Sequence, residues 1–473
     1  MKLKKLTAFI ISVTAAISAV SCGSTASGDA DTISRAPAAG EAASSSAPDV
    51  SAREDDAPSQ NSGGDSSEES LTSAELSGEG IRKFGEEYEF EGVAGELDKS
   101  FREAALDLSA ELLKKAASGD IAEGKNALVS PESVMFALAL AGNGAWGDTR
   151  AAFEKLLGGD MDNVNKNLCA LMTSARKSSD PRFSIADSIW IREGGSIVLR
   201  DSYAELCKKR LDAEGFIAPF DDDTLSRLNG WVSEKTSHMI NSIKDRFYHN
   251  EAAVLVNCIA FEGTWQKEYT DGQIDENGIF TNASGQEEKC VMLSSTEDRY
   301  LADDKAVGFM KPYGDGNYLF AAILPNEGIS IGDYISSMTG ESLSEFLSSA
   351  DGEVNASVKM PEFKFEWGKS IAENIKEMGL EAAFDGNADF SAMAENCGPG
   401  DLAIDDIIHK TFIDLNRNGT RAAAVTAITT KGFEDNAEPE IKEVTLDRPF
   451  IFAIVEARSG LPVFIGTLNS VQG

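Results

Sequence analysis

The 473-residue chain is poor in basic residues and in the side chains that most often hold metals. Its 43 Lys and Arg stand against 78 Asp and Glu, so the net charge is -35 and the pI is near 4.4. Nucleic acids and anionic lipid surfaces are bound through basic patches, so this balance argues against both as partners. Three histidines and six cysteines occur without any CxxC or HExxH spacing, so we expect no metal and no cofactor.

Motifs of catalytic sites are also scarce. Ser174-Ala175-Arg176-Lys177 matches the S-x-x-K pattern, but it stands alone, and no G-x-S-x-G sequence occurs. A Ser–His–Asp triad would need His238, His249 or His409, and His409 lies in a predicted strand. We therefore expect that the protein is not an enzyme.

Residues 1–22 have the features of an export signal. A cationic start is followed by the apolar run Leu6–Val20, which is short for a membrane span, and then by small residues. A small-residue site that ends in cysteine resembles the bacterial lipoprotein signal, although Ala19 stands where that signal usually has Leu. The resemblance predicts that Cys22 is lipidated, and ordinary cleavage with secretion is the alternative. In both cases we expect the mature chain outside the cytoplasm, at the bacterial cell surface or released.

The next stretch, residues 23–90, is predicted to be a disordered tether. Residues 23–80 contain twelve acids, two bases and no aromatic residue, and such a composition cannot bury enough apolar surface to fold. As a flexible coil this segment would span roughly 40 Å. The sequence thus predicts one folded domain, residues 91–473, which contacts a membrane only through a lipid anchor.

Hydrophobic periodicity assigns helices and strands within the folded part. Predicted helices are 97–117, 132–143, 228–243 and 370–378; predicted strands are 126–131, 183–192, 252–261, 318–324, 355–360 and 405–415, followed by a hairpin of 450–455 and 463–468. Long strands come late and no steady βαβ alternation occurs, which indicates a single α+β domain. Beyond Cys22 the cysteine number is odd, so free thiols are the default, and one disulfide remains open.

The stretch 419–430 has features of both a strand and a loop. With a period of two, Thr420, Ala422, Ala424 and Thr426 share one face, and Arg421 falls on the other. The glycine at its start and the polar run 431–436 after it are typical of a loop. The pattern predicts a loop that is able to become a strand.

The order of the sequence motifs resembles that of the serpins. The resemblance runs from residue 97 to 469 and is most specific near the C-terminus. Its motifs are His409–Asn416 (HKTFIDLN), Gly419–Thr426 (GTRAAAVT), Leu446–Phe452 (LDRPFIF) and Gly466–Leu468 (GTL), preceded by Ser130-Pro131, 144–149, 257–265 and 360–363. Together they identify the chain as a member of that family.

This resemblance implies three β-sheets, about nine helices and an exposed reactive loop at about residues 417–445. It implies inhibition of serine proteases by a suicide-substrate mechanism, in which the protease cuts the loop and forms an acyl-enzyme. The loop then inserts as a central strand of the large sheet and traps the protease. The hinge of this loop would comprise Gly419, Thr420, Ala422, Ala423, Ala424 and Thr426. We expect a monomer, and the alternative is a non-inhibitory relative that acts as a protease substrate or ligand-binding protein.

The resemblance also places five residues where the family controls opening of the sheet. They are Ser130, Ser133, Asn257, Trp265 and His409. Each has an ordinary alternative, because the serines could cap a helix, and the histidine and tryptophan could be plain core residues. We treat them as gating residues without chemistry of their own.

The cut bond follows from a count along the loop. The family's spacing, framed on Gly419 because Arg417 replaces the expected acid, leads to Phe433, with Glu434 after it. Phe433 would suit a chymotrypsin-like or subtilisin-like protease. The alternative is the Lys431–Gly432 bond, which would suit a trypsin-like protease, and cleavage after Thr430 would suit an elastase-like one.

Overall fold

The computed structural model describes residues 12–19, 80–195, 197–350, 352–420 and 439–472. Nine α-helices lie in these ranges: α1 Lys99–Ala122, α2 Pro131–Gly144, α3 Gly147–Leu157, α4 Met161–Ala175, α5 Asp201–Leu211, α6 Asp222–Lys235, α7 Ile331–Ser337, α8 Gly340–Leu347 and α9 Ala372–Ile375.

The same ranges contain eighteen strands. They are β1 Ser12–Ala19, β2 Arg82–Phe84, β3 Ala127–Val129, β4 Arg182–Arg192, β5 Glu214–Ala218, β6 Glu251–Thr264, β7 Ile274–Thr281, β8 Glu287–Glu297, β9 Tyr300–Ala302, β10 Ala306–Pro312, β11 Tyr318–Pro325, β12 Val354–Pro361, β13 Phe363–Ser370, β14 Leu402–Asn416, β15 Gly419–Thr420, β16 Glu440–Thr445, β17 Phe450–Glu456 and β18 Pro462–Leu468.

These strands form three sheets. The largest sheet has eight strands. Strand β13 pairs with β14 at one edge, β6, β4, β5 and β2 follow in order toward the other edge, and β1 and β15 lie between β14 and β6. A six-stranded sheet has the order β3-β18-β17-β11-β10-β9, and a four-stranded sheet has the order β16-β12-β8-β7. The three sheets and nine helices of the described residues confirm the predicted α+β fold.

The helix α2 forms the centre of the domain because all of its surface except Glu132 and Asn143 is apolar or small. All fourteen of its residues are buried, and it packs against β6 of the large sheet and β18 of the six-stranded sheet. It begins sharply because Ser130 caps it, accepting a hydrogen bond from the Ser133 backbone, and Pro131 occupies the first helical turn. Strand β6, predicted as a doubly buried strand, is buried over its first eleven residues.

Two predicted helices differ from the structure. The helix predicted at 228–243 is α6, which starts six residues earlier and ends at Lys235. Its early end has a backbone cause, since Ser237 and His238 adopt positive φ angles of 50° and 58°. The predicted helix 370–378 begins two residues late, because Ser370 continues β13; the turn α9 then continues as a π-helical turn, Lys376–Leu380, and the helical backbone breaks at the predicted Gly379, with φ of 103°.

Candidate functional site at the centre of the large sheet

The candidate site is the position between β6 and β14, which we call the central slot. Two separate strands share it, one at each end. At the end that leads to the predicted reactive loop, Gly419 pairs with Asn416 and Thr264, and Thr420 pairs with Leu415 and Gly263. At the other end β1 pairs antiparallel with both β14 and β6. The slot therefore accepts a strand that is hydrogen-bonded along both edges.

The loop end of the slot is built around Thr420. Its side chain faces the interior, as the alternation predicted, with 4% exposure, and its hydroxyl lies 2.6 Å from the Tyr313 hydroxyl oxygen. The Tyr313 ring stacks on Trp265 at 4.5 Å between centroids. The Trp265 indole nitrogen donates to the Asn416 carbonyl at 2.9 Å. Two aromatic rings thus seat the start of the hinge.

A glycine is required beside Thr420. Gly419 has φ of 147°, and a Cβ atom there would lie 2.0 Å from the carbonyl oxygen of Gly263. Any other residue would have to push apart the pairing of β15 with β6. The close approach explains why the predicted hinge begins with glycine.

Arg417 holds the chain just before the hinge. Its backbone nitrogen and its Nε both donate to Glu362 Oε1 at 2.8 Å, and its Nη2 lies 3.2 Å from Glu362 Oε2. A further nitrogen, Nη1, lies 3.1 Å from Glu276 Oε1. Hydrogen bonding to Glu362 raises the pKa of Arg417. The basic residue that replaces the expected acid is therefore matched by two acidic partners.

Four of the five expected gating residues meet beneath the middle of the slot. The Ser130 backbone N–H donates to His409 Nε2 at 2.9 Å, and the Ser130 hydroxyl donates to the Val463 carbonyl at 2.7 Å. The Ser133 hydroxyl donates to the Asn257 side-chain oxygen. These contacts join α2 to β14 and β6, the two strands that border the slot. Trp265, the fifth residue, lies at the loop end instead.

His409 is neutral in this arrangement. Because its Nε2 accepts a hydrogen bond, the proton of the neutral ring is on Nδ1, which has no partner among the described residues. Complete burial lowers the pKa of His409 to about 3. The ring therefore acts as an acceptor and not as an acid or base near neutral pH.

Asp187 of β4 is a member of this cluster that the sequence analysis missed. Its Oδ1 accepts a hydrogen bond from Asn257 Nδ2 at 3.0 Å, and its Oδ2 has no partner among the described residues. Burial raises the pKa of the Asp187 carboxyl to about 8. An acid within the apolar sequence FSIADSIWIR was the available signal, since a buried carboxyl needs a partner.

Several predicted site residues lie outside the described residues. They are Ala422, Ala423, Ala424, Thr426, Lys431, Gly432, Phe433, Glu434 and Cys22. Cys169, Cys207, Cys258, Cys290 and Cys397 are all free thiols. Among the described residues no acid, His and Cys group could hold a metal ion, and no helix could span a membrane.

The comparison with protein families decides the assignment. The family described as Serpin (serine protease inhibitor) matches residues 103–471. The chain is a serpin. Members of this family are mostly protease inhibitors and not catalytic enzymes, and serine proteases are their general targets.

Known serpins match most of the chain. It is 27% identical over 380 residues to an uncharacterized serpin-like protein of Methanosarcina mazei, covering 77% of this chain and 85% of the relative. It is likewise 27% identical over 383 residues to Serpin-ZXA of Oryza sativa subsp. japonica, covering 76% and 94%. The native structure of the thermophilic serpin tengpin superposes with a TM-score of 0.72 at 32% identity, covering 83% of this chain and all of tengpin.

Proposed function

We propose that this serpin is an extracytoplasmic serine protease inhibitor that acts as a suicide substrate. The protease cleaves the reactive loop, forms an acyl-enzyme and is trapped when the loop inserts into the central slot. The observation that carries the proposal is the pairing of Gly419 and Thr420 with both β14 and β6. The first residues of the loop are thus seated in the position that the rest would fill.

The register of β15 supports the predicted cleavage site. Thr420 lies opposite Leu415, so Phe433, thirteen residues later, would lie opposite Leu402, thirteen residues before Leu415. Leu402 is the first residue of β14. A loop cut after Phe433 would therefore fill the slot along the full length of β14, which favours the Phe433–Glu434 bond over Lys431–Gly432.

Insertion in this register would move the protease a long way. Thirteen further residues at about 3.3 Å each carry the acylated end some 43 Å along the sheet. Deacylation depends on close positioning of the ester, and a misplacement near 1 Å can slow a reaction about a hundredfold. Pulling the acyl group over this distance while the protease is held against the domain would distort the protease active site.

The interior side of the slot favours small residues in the hinge. The position after Thr420 on the same face would lie between Ile413 and Phe261, both buried. A cavity of about 10 Å³ beside Thr420 is lined by these two residues, close to the size that holds one water molecule. Ala422 would fit at this position, whereas a large side chain would press on Leu128 and Phe464, which line the same cavity.

The proposal is tested by mixing the chain from residue 23 with chymotrypsin, subtilisin, trypsin and elastase. We expect a complex that survives heating in detergent and a released peptide that begins at Glu434. Release of a peptide that begins at Gly432 would move the site to Lys431. Cleavage without any complex would refute inhibition and leave the non-inhibitory alternative, a protease substrate or ligand-binding serpin.

The proposed location rests on the sequence of residues 1–22 and has its own test. We expect radiolabelled fatty acid to be incorporated into the full chain when it is expressed in a bacterium, and not into the Cys22→Ala variant. A wild-type chain found unlabelled in the medium would instead support ordinary cleavage and secretion.

A further inference from the structure

The strand β1 occupies the part of the central slot that the loop would need. It runs antiparallel to both neighbours, from Ser12 opposite Lys410 to Ala19 opposite Leu402. On its other side Val13 pairs with Asn257 and the pairing continues to Ser18. The helix α2, which is capped by Ser130 and contains Ser133, packs against β1 as it does against β6. The strands β1 and β15, which are far apart in sequence, thus lie one after the other in the same position of the sheet, between β14 and β6.

We propose that residues 12–19 plug the central slot of the unprocessed chain, so that the reactive loop can insert fully only after the signal segment has been removed. This inference rests on the proposed insertion mechanism and on cleavage before Cys22. In this proposal, removal of the signal segment is the step that makes the chain able to inhibit a protease.

The register shows where loop and plug would collide. Continuing from Thr420 opposite Leu415, the loop would place Ala424 opposite Thr411 and Val425 opposite Lys410, where Ser12 lies. Insertion could therefore advance by four residues, about 13 Å, before it meets the plug. Full insertion would need about 43 Å, so an acylated protease would stay near its docking position and complete hydrolysis.

The two segments that compete for the slot have the same kind of sequence. Residues 12–19 (SVTAAISA) consist of Ser, Val, Thr, Ala and Ile, and residues 422–430 (AAAVTAITT) consist of Ala, Val, Thr and Ile. Small and β-branched residues suit a central strand that is covered on one face by a closely packed helix. The register confirms the overlap, because Val13 occupies the position between His409 and Asn257 that Thr426 would take.

Processing would abolish the plug because it removes the covalent link. While attached, residues 12–19 are held near the slot at a high effective concentration. After cleavage before Cys22 the segment would no longer be held near the slot and would be free to dissociate. The loop, still attached at Arg417, then has no competitor.

The test compares four purified proteins: the full chain, the full chain with Ala15→Pro and the full chain with Ala8→Pro, all carrying Cys22→Ala, and residues 23–473. Proline removes a backbone donor from the middle of a strand that pairs on both sides. The matched control is Ala8→Pro, which lies outside β1. Trapping of chymotrypsin is measured on denaturing gels, as inhibitor molecules consumed per complex formed.

We expect the full chain and the Ala8→Pro control to be cleaved with at least tenfold less complex than residues 23–473, and Ala15→Pro to recover trapping. Equal trapping by the full chain and by residues 23–473 would refute the proposal that residues 12–19 block insertion of the loop. If residues 23–473 trap no protease, the proposed function fails. The proposal that residues 12–19 occupy the slot is then tested separately, by hydrogen exchange. Slow exchange of β14 and β6 amides in the full chain, lost in Ala15→Pro, supports it, and identical exchange in both overturns it.

Discussion

Replacing Asp187 by Asn should stabilise the native fold at neutral pH, because the structure buries a carboxyl group in the middle of the large sheet. Asp187 is 1% exposed and receives one hydrogen bond, from Asn257. The titratable groups around it give little compensation. Tyr203, Cys207 and Cys258 have raised pKa values and are uncharged, the charge of Asp212 opposes ionisation, and Arg176 acts weakly in its favour.

The magnitude follows from the difference in proton binding between the native and unfolded states. The pKa of Asp187 is raised from 3.8 to about 8 in the native state. Between these values the native state holds a proton that the unfolded state has lost, so stability falls as pH rises. At pH 7 the penalty is about 3 pH units at 1.36 kcal/mol each, or about 4 kcal/mol. Asn keeps the carbonyl acceptor, but its unpaired amide group costs about 1–3 kcal/mol, so we expect a net gain of about 1–3 kcal/mol.

The assay is denaturant unfolding of residues 23–473 at pH 5, 6, 7 and 8.5, for wild type and Asp187→Asn. The advantage of the variant should grow by about 1.4 kcal/mol per pH unit up to pH 8 and then level off. Asp405→Asn, which changes an exposed aspartate on β14, should show no such trend. A constant difference at all four pH values would show that Asp187 is ionised in the native state and would refute the reasoning.

Three further predictions concern the hinge and the gating cluster. Thr420→Arg should lower the yield of trapped protease more than tenfold on denaturing gels, since it places a charge at a 4%-exposed position, whereas the exposed Glu440→Arg should not. Arg417→Glu should lower stability to denaturant by about 1 kcal/mol, and adding Glu362→Arg should recover most of it; independent losses in the double variant would contradict the pairing. His409→Gln should lessen acid sensitivity, because the native pKa of about 3 means that neutral His409 contributes stability that is lost as pH falls below its unfolded value of 6.5. Parallel stability curves of wild type and His409→Gln between pH 4 and 7 would contradict that account.

Patterns that repeat within a single element could be read from the sequence. The apolar run 252–261 predicted β6, and the small-residue helix predicted at 132–143 is the buried α2. The alternation predicted that Thr420 faces the interior, and its side chain is buried. Each of these depends on a periodicity of side chains that neighbouring residues already display.

The features that the sequence analysis missed depend on residues that are distant in the chain. Asp187 contacts the expected gating residues through Asn257, seventy residues away, and Arg417 binds Glu362, fifty-five residues earlier. The pairing of Ser12 with Lys410 lies further still from any local pattern. The sequence analysis assigned residues 12–19 to the apolar run of an export signal, and a run of that kind holds no information on the position in the sheet that they fill.

The tie at Arg417 gives the proposed insertion its direction. Glu362 and Glu276 hold this residue through four hydrogen bonds, two residues before Gly419 enters the slot. With the near end of the loop fixed, any residue added to the strand after Thr420 must be drawn from the far end. In the proposed mechanism, each added pair of residues would therefore move the bound protease by about 7 Å along β14 while Arg417 stays in place. A loop that was free at both ends could instead gain strand pairs by sliding Arg417 into the slot, and the protease would remain where it first docked.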